Sequence, residues 1–343
     1  LQVRNAVKET GILPADIEHY LFTRRESIHL PEGAEGVGVA ILNLLTMQSA
    51  DANLKAYIVA DIEGSSGTWS YEDTLIGNAG WESARRDMTA DLSAAVEALY
   101  SAGASQAVVK DFHRDGYNIV PDLLDRRATL VRGYFMEPVL MYGPLLESNR
   151  AFFIGMHAAS GTADSFLPHT LTSRIGMLTI RGEQICETQL FAHVLGEMGL
   201  PVVFVSGCPA ACAQAAKHLP WIVTVELDKS ERPQQGSAME SYMASARDRL
   251  RTGIIEAAAV KDAPVYNIPP PYDCEIAFRD RARADRAGKW GFKVSGTTVS
   301  FQTDDPKEMM LNLIKMAYFT PLTYRCATIL LPLARMLMPL LRK

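Results

Sequence analysis

Short apolar runs alternate with amphipathic stretches over most of this chain. Residues 56–60, 107–113, 151–157, 201–207 and 221–227 are brief and nearly all apolar at their centres, the pattern of buried strands. Residues 176–182 alternate apolar and polar positions and close in a turn, so they too read as a strand. Between them, 81–101 places Met88, Leu92, Ala95, Val96 and Leu99 on one helical face, with Gly103 as the stop. Residues 187–199 and 209–219 are also helical in pattern, the second with Pro209 near its start. The alternation predicts an α/β fold, a three-layer α/β/α domain with a largely parallel or mixed sheet.

The texture changes along the rest of the chain. An Ala-rich amphipathic helix is expected over 237–260. Beyond it a proline-broken stretch leads into strand-like alternation at 291–301. The predicted organisation is an N-terminal extension (1–53, most ordered over 35–51), a main α/β domain (54–262), a smaller α+β subdomain (263–316) and an apolar, basic C-terminal tail (317–343). The tail comes nearest to a membrane segment, but Pro332 and Pro339 each remove a helical hydrogen bond and favour breaks. Packing against the body or a neighbouring subunit is the expectation for it, ahead of a membrane surface.

Composition narrows the function. Of 343 residues 48% are hydrophobic and 21% charged, and the net charge of −5 is scattered, which argues against a nucleic-acid partner. Five cysteines without regular spacing, and no apolar secretory leader at the start, fit a reducing compartment, so a cytoplasmic setting is expected. Cys208 and Cys212 lack the second pair a zinc finger needs, and no histidine–acid arrangement marks Cys208 as a nucleophile; a buried thiol is expected there.

The candidate chemistry lies at the strand ends. One strand ends Asp61-Ile62-Glu63, a second Asp111-Phe112-His113 and a third Met156-His157, and Glu187 opens the helix after the "GEQIC" turn. Sites in open α/β sheets form at the carboxyl ends of strands, so Asp61, Glu63, His113, His157 and Glu187 can converge despite their separation. Mixed carboxylate and imidazole donors suit zinc and similar divalent ions. A lone histidine after a strand is more often a hydrogen-bonded residue, and strand-end acids are usually solvated; the joint pattern carries the metal reading. Asp111 can orient His113, or be a simple strand-end acid.

The stretches "VADIEGSSG", "VVKDFHRDGYNI", "FFIGMHAASGT", "LPHTLTS" and "GEQICETQLFAHVLGEMGLPVVFVSG" together resemble the M55 peptidases, zinc-dependent D-aminopeptidases, over roughly residues 54–225. The resemblance implies two zinc ions per chain on Asp61, Glu63, His113, His157 and Glu187, with Asp61 bridging the pair. It also implies a catalytic role for His169 in "LPHT", whose bland alternative is a histidine capping the following turn. A small peptide substrate and a ring-shaped homo-oligomer, pentamer or decamer, follow from the same resemblance. The chain departs from the family pattern at Phe112, Arg114 and Cys208, and the first two are expected to reshape the mouth of the pocket. Two rival functions remain open to the sequence: a metal-dependent hydrolase of another amide or ester, and a non-catalytic oligomeric scaffold.

Overall fold

The computed structural model describes residues 53–341, so all but the last residue of the expected N-terminal extension lies outside it. In chain order the first half forms β1 (Lys55–Ala60), α1 (Ala79–Ser101), β2 (Gln106–Asp111), β3 (Ala128–Val131), β4 (Arg150–Met156), β5 (Ile175–Ile180), β6 (Glu183–Gln184) and α2 (Glu187–Gly196). The second half forms β7 (Val202–Gly207), α3 (Pro209–His218), β8 (Val223–Glu226), α4 (Ser237–Ala258) and β9 (Tyr272–Phe278). It continues through α5 (Arg281–Gly288), β10 (Lys293–Ser295), β11 (Thr298–Thr303), α6 (Pro306–Tyr318) and α7 (Pro321–Leu341).

Six strands pair in parallel in the order β3-β2-β1-β4-β7-β8. Their side chains divide between two cores, as the two-residue period of a strand requires. Tyr57 and Val59 of β1 face one core, shared with α2, α3 and the second sheet. Ile58 and Ala60 face the other, filled by Met88 and Leu92 of α1 and Leu250 and Ile254 of α4. Burial on both faces explains the unbroken apolar runs. α1 and α4 are further joined by Arg247, which pairs with Asp87 at 3.2 Å and with the buried Asp91 at 3.1 Å.

The remaining strands form a separate antiparallel sheet, β10-β11-β9-β5-β6. The strand expected over 176–182 is thus β5, and it belongs to this second sheet rather than to the parallel one. Its alternating burial is that of a strand with one open face, and its partner β9 lies almost a hundred residues further on. The segment expected as an α+β unit (263–316) therefore shares its sheet with β5 and β6 from earlier in the chain, and its last helix, α6, continues to Tyr318.

α7 is helical through both prolines, but bends by 58° between Pro321–Ala327 and Ile329–Leu341. The bend lies four residues before Pro332, whose ring crowds that carbonyl and whose nitrogen cannot bond it. Pro339 causes no such break. Among the described residues no single helix is long and apolar enough to cross a membrane, although this bent pair reaches that length and composition.

The parallel sheet has a topological switch between β1 and β4: the chain turns one way to β2 and β3 and the other way to β7 and β8. Two glycines bring the strand ends together there. Gly155 has φ +82°, and a Cβ on it would lie 1.9 Å from the Asp61 carbonyl oxygen; a Cβ on Gly64 would lie 2.0 Å from that of Met156. The close approach turns Asp61 and Glu63 toward the end of β4.

Candidate metal centre

The loops after β1, β2 and β4 and the first residue of α2 bring the five expected ligands together at the switch point. Asp61, Glu63, His113, His157 and Glu187 are all at most 5% exposed. Three buried carboxylates in one place repel one another and lose water, so they require cations or protons to neutralise them.

Each histidine is fixed through one nitrogen and presents the other to the acids. His113 Nε2 donates to the Thr74 carbonyl at 2.9 Å, while its Nδ1 lies 3.0 Å from Glu63 Oε2 and 3.2 Å from Asp61 Oδ1. His157 Nδ1 lies 3.1 Å from the Ala158 carbonyl; its Nε2 faces Asp61 Oδ2 at 3.4 Å and Glu187 Oε2 at 3.6 Å. His169 Nδ1 is tied to the Leu167 carbonyl at 3.0 Å, leaving Nε2 at 4.0 Å from both Glu63 and Glu187. Its ring stacks on His157 at 3.7 Å. Carbonyl-anchored imidazoles with the second nitrogen turned inward are the outer-shell arrangement of metal-binding histidines.

The decisive atom is His157 Nε2. It is buried and has no hydrogen-bond partner, although two carboxylates surround it. A lone pair in that position is satisfied by a cation shared with those oxygens. The donor atoms of His157, His169 and Glu187, and those of Asp61, Glu63 and His157, each lie within 4.8 Å of one another.

Without a cation the cluster holds protons instead. Burial pushes the His113 and His157 imidazoles down, but the negative charges of Glu63, Glu187 and Asp61 overcome this and hold both well above the usual histidine range. Burial likewise pushes Asp61 up, and the hydrogen bond from His113 together with the neighbouring His157 imidazole outweighs it, leaving its carboxyl well below the usual range.

Asp111 acts on the main chain rather than on an imidazole. Its carboxylate accepts from the backbone N–H of His113 at 3.1 Å, Asn118 at 2.5 Å and Ile119 at 3.0 Å, so it shapes the loop that carries His113. Phe112 is not at a pocket mouth. It is buried against Tyr142 and Phe191, with ring centroids 4.7 and 4.8 Å away, because the strand period turns it into the core opposite His113. Arg114 is exposed and does stand at a rim, with Nε donating to the Thr74 carbonyl at 2.6 Å. Cys208 and Cys212 are buried, and burial pushes the Cys212 thiol up to about 12.

This geometry stands on a chain with known kin. A model of the M55 family, described as D-aminopeptidase, matches residues 54–315. The chain belongs to the M55 peptidase family. The D-aminopeptidase of Bacillus subtilis (strain 168) is 26% identical over 281 residues, which span 80% of this chain and 100% of that relative. A solved structure, the Zn-dependent D-aminopeptidase DppA from Bacillus subtilis, described as a self-compartmentalizing protease, shares the fold. Its TM-score is 0.68 at 24% identity, covering 77% of this chain and 96% of that one. As an M55 peptidase this chain is a hydrolase of the aminopeptidase class. The family match continues past residue 225, where the sequence resemblance ends, through the second sheet and most of α6. α7 lies beyond it.

Several supports of the M55 site carry no mark in the sequence. Lys229 donates to the carbonyls of Ser65, Ser66 and Thr68, fastening the loop after Glu63, and burial pushes its amine down to about 8. It lies more than 160 residues from that loop, and nothing local announces it. Gly155 is different: a glycine inside an apolar strand signals close backbone approach.

Proposed function

We propose that this M55 peptidase removes the N-terminal residue from short peptides or amino-acid amides, with D-residues preferred, using two zinc ions per chain. The unsatisfied Nε2 of His157 between two buried carboxylates carries this reading. Asp61, Glu63, His113, His157 and Glu187 would hold the metals, and Asp61, with one oxygen toward each histidine, suits the shared position. When bound, zinc polarises a carbonyl and lowers the pKa of a water to about 7.

The chain's own residues supply the rest. His169 is the cluster member most open to solvent, its side chain 17% exposed against at most 7% for the others. Its Nδ1 is held by Leu167, so Nε2 is the atom free to hydrogen-bond the oxygen that gains charge or to pass a proton to the departing amine. The rigid carbonyl anchors hold His113 and His157 in place through turnover. A scaffold without chemistry has no use for three buried acids, and this disfavours the non-catalytic alternative.

The proposed setting is a ring-shaped homo-oligomer, a pentamer or decamer, in the cytoplasm. The self-compartmentalizing character of the Bacillus subtilis structure and the exposed leucines of α7 support the assembly. The five free cysteines support the compartment. Incubating the zinc-loaded protein with D- and L-dipeptides, amino-acid amides and N-acetylated controls tests the activity. Chelator-sensitive release of the N-terminal residue is expected, strongest for D-residues. Equal cleavage of N-acetylated peptides contradicts aminopeptidase action.

A further inference from the structure

A cavity of about 170 Å³ lies next to the metal centre and has no part in the chemistry above. Its walls are apolar, from Phe135, Leu140, Ile314, Phe319 and Leu331, and Arg114 stands at its edge. Leu331 belongs to α7, the helix beyond the family match. Arg335 of α7 locks that wall in place: its guanidinium lies 4.2 Å over the Phe135 ring and donates to the Tyr134 carbonyl at 2.5 Å.

Two short connections tie the cavity to the acids. At one end, Arg114 Nε and His113 Nε2 share the Thr74 carbonyl. At the other, the Tyr318 hydroxyl donates to the Leu171 carbonyl, while the Leu171 N–H donates to Glu187 Oε1 at 2.6 Å. Tyr318 and Arg114 both line the cavity. The cavity and the acid cluster are thus joined at each end through a single residue, Thr74 at one and Leu171 at the other.

The size and charge select an occupant. An apolar cavity of about 150 Å³ takes one benzene ring, so this one has room for a single ring or a branched aliphatic side chain. Arg114 is bound by Thr74 and lies 5.8 Å from the Tyr71 ring centre, and neither partner is an acid. Its positive charge is left to pair with a carboxylate. Within a short peptide, an apolar side chain beside a free carboxylate occurs on the C-terminal residue, which in a dipeptide is the leaving group.

We propose that this pocket holds the apolar leaving residue of a dipeptide, with Arg114 on its α-carboxylate, and that α7 sets this preference. The proposal rests on the aminopeptidase reading for the meaning of "leaving residue", but binding alone tests the pocket. The probes are leucine, isoamylamine (leucine without its carboxylate, and not a substrate) and glycine, titrated calorimetrically into the full-length zinc-loaded protein. Leucine is expected to bind at least about tenfold tighter than glycine, and about tenfold tighter than isoamylamine. Arg114→Gln should erase the difference between leucine and isoamylamine. Leu331→Trp should weaken leucine about tenfold or more with metal content and oligomer mass unchanged. If that variant fails to fold, Leu331→Ala, which enlarges the cavity, should shift preference from leucine toward phenylalanine. Equal binding of leucine and isoamylamine by the unaltered protein overturns the proposal. So does no detectable leucine binding, or insensitivity to the Leu331 substitutions. A protein that binds leucine in this manner yet cleaves no peptide refutes the aminopeptidase reading and leaves the pocket standing. A protein that cleaves dipeptides without discriminating these probes refutes the pocket alone.

Discussion

Asp61 Oδ1 lies 3.2 Å from His113 Nδ1, and its Oδ2 lies 3.4 Å from His157 Nε2, so this one carboxylate joins the end of β2 to the end of β4. Asp61→Asn keeps the shape and removes the charge from both contacts. Metal affinity should fall by about 100-fold or more, since weakening an outer-shell partner alone costs roughly 10–100-fold. Competition with a chromogenic chelator measures this, and an unchanged affinity would remove Asp61 from the shared position.

His169→Ala separates chemistry from assembly of the centre. Its Nε2 stands 4.0 Å from the nearest acids, further than the donor atoms of His113 or His157. The variant should keep its metal and lose about 10²–10³ in kcat, the scale for a lost proton-transfer or oxyanion group. Loss of metal in step with activity would make His169 a ligand instead.

The parallel sheet and the candidate ligands are legible in the sequence for one physical reason. The strands are short apolar runs because both faces are buried, and the ligands stand out because they end those runs. What the sequence hides is non-local. β5 has the pattern of a strand, but nothing in it says that β9 is its partner. Thr74, Ala158 and Leu167 contribute only main-chain carbonyls to the histidines, which any residue type supplies. β3 is an edge strand of four residues, too short for its period to register. The sequence places both Phe112 and Arg114 at the pocket mouth; alternation about His113 sends one into the core and the other to the rim.

Lys110 gives the protein a pH-dependent stability. It is buried, its Nζ donating to the Asp111 and Gly133 carbonyls at 2.9 and 2.6 Å and lying 4.8 Å from the Tyr134 ring centre. Burial pushes its amine down to about 7, only partly countered by the Asp111 charge. In the unfolded chain it titrates near about 10.4, so between these values the unfolded state binds the extra proton. Its contribution is full above about pH 10 and is lost as pH falls toward about 7. Urea unfolding at several pH values should show stability rising with pH in this window, by up to about 1.4 kcal/mol per unit from this group. Lys110→Met should flatten that part of the slope; an unchanged slope refutes the shift.

α7 exposes Leu322, Ile329, Leu330, Met336, Leu340 and Leu341, each more than half exposed. An apolar face of this extent is expected to be covered by a neighbouring subunit. Removing residues 323–343 should reduce the oligomer mass in analytical ultracentrifugation while the metal content stays constant. Unchanged mass, together with anionic-liposome binding that disappears on truncation, would assign the helix to a membrane surface instead.

The central claim is that the buried acids and histidines at the switch point form a two-zinc peptidase centre. Elemental analysis of the purified full-length protein, dialysed after zinc addition, tests it most directly, with His157→Ala alongside. The account predicts close to two zinc ions per chain, and a marked loss in the variant. Less than half a metal per chain, or the same content with and without His157, contradicts it.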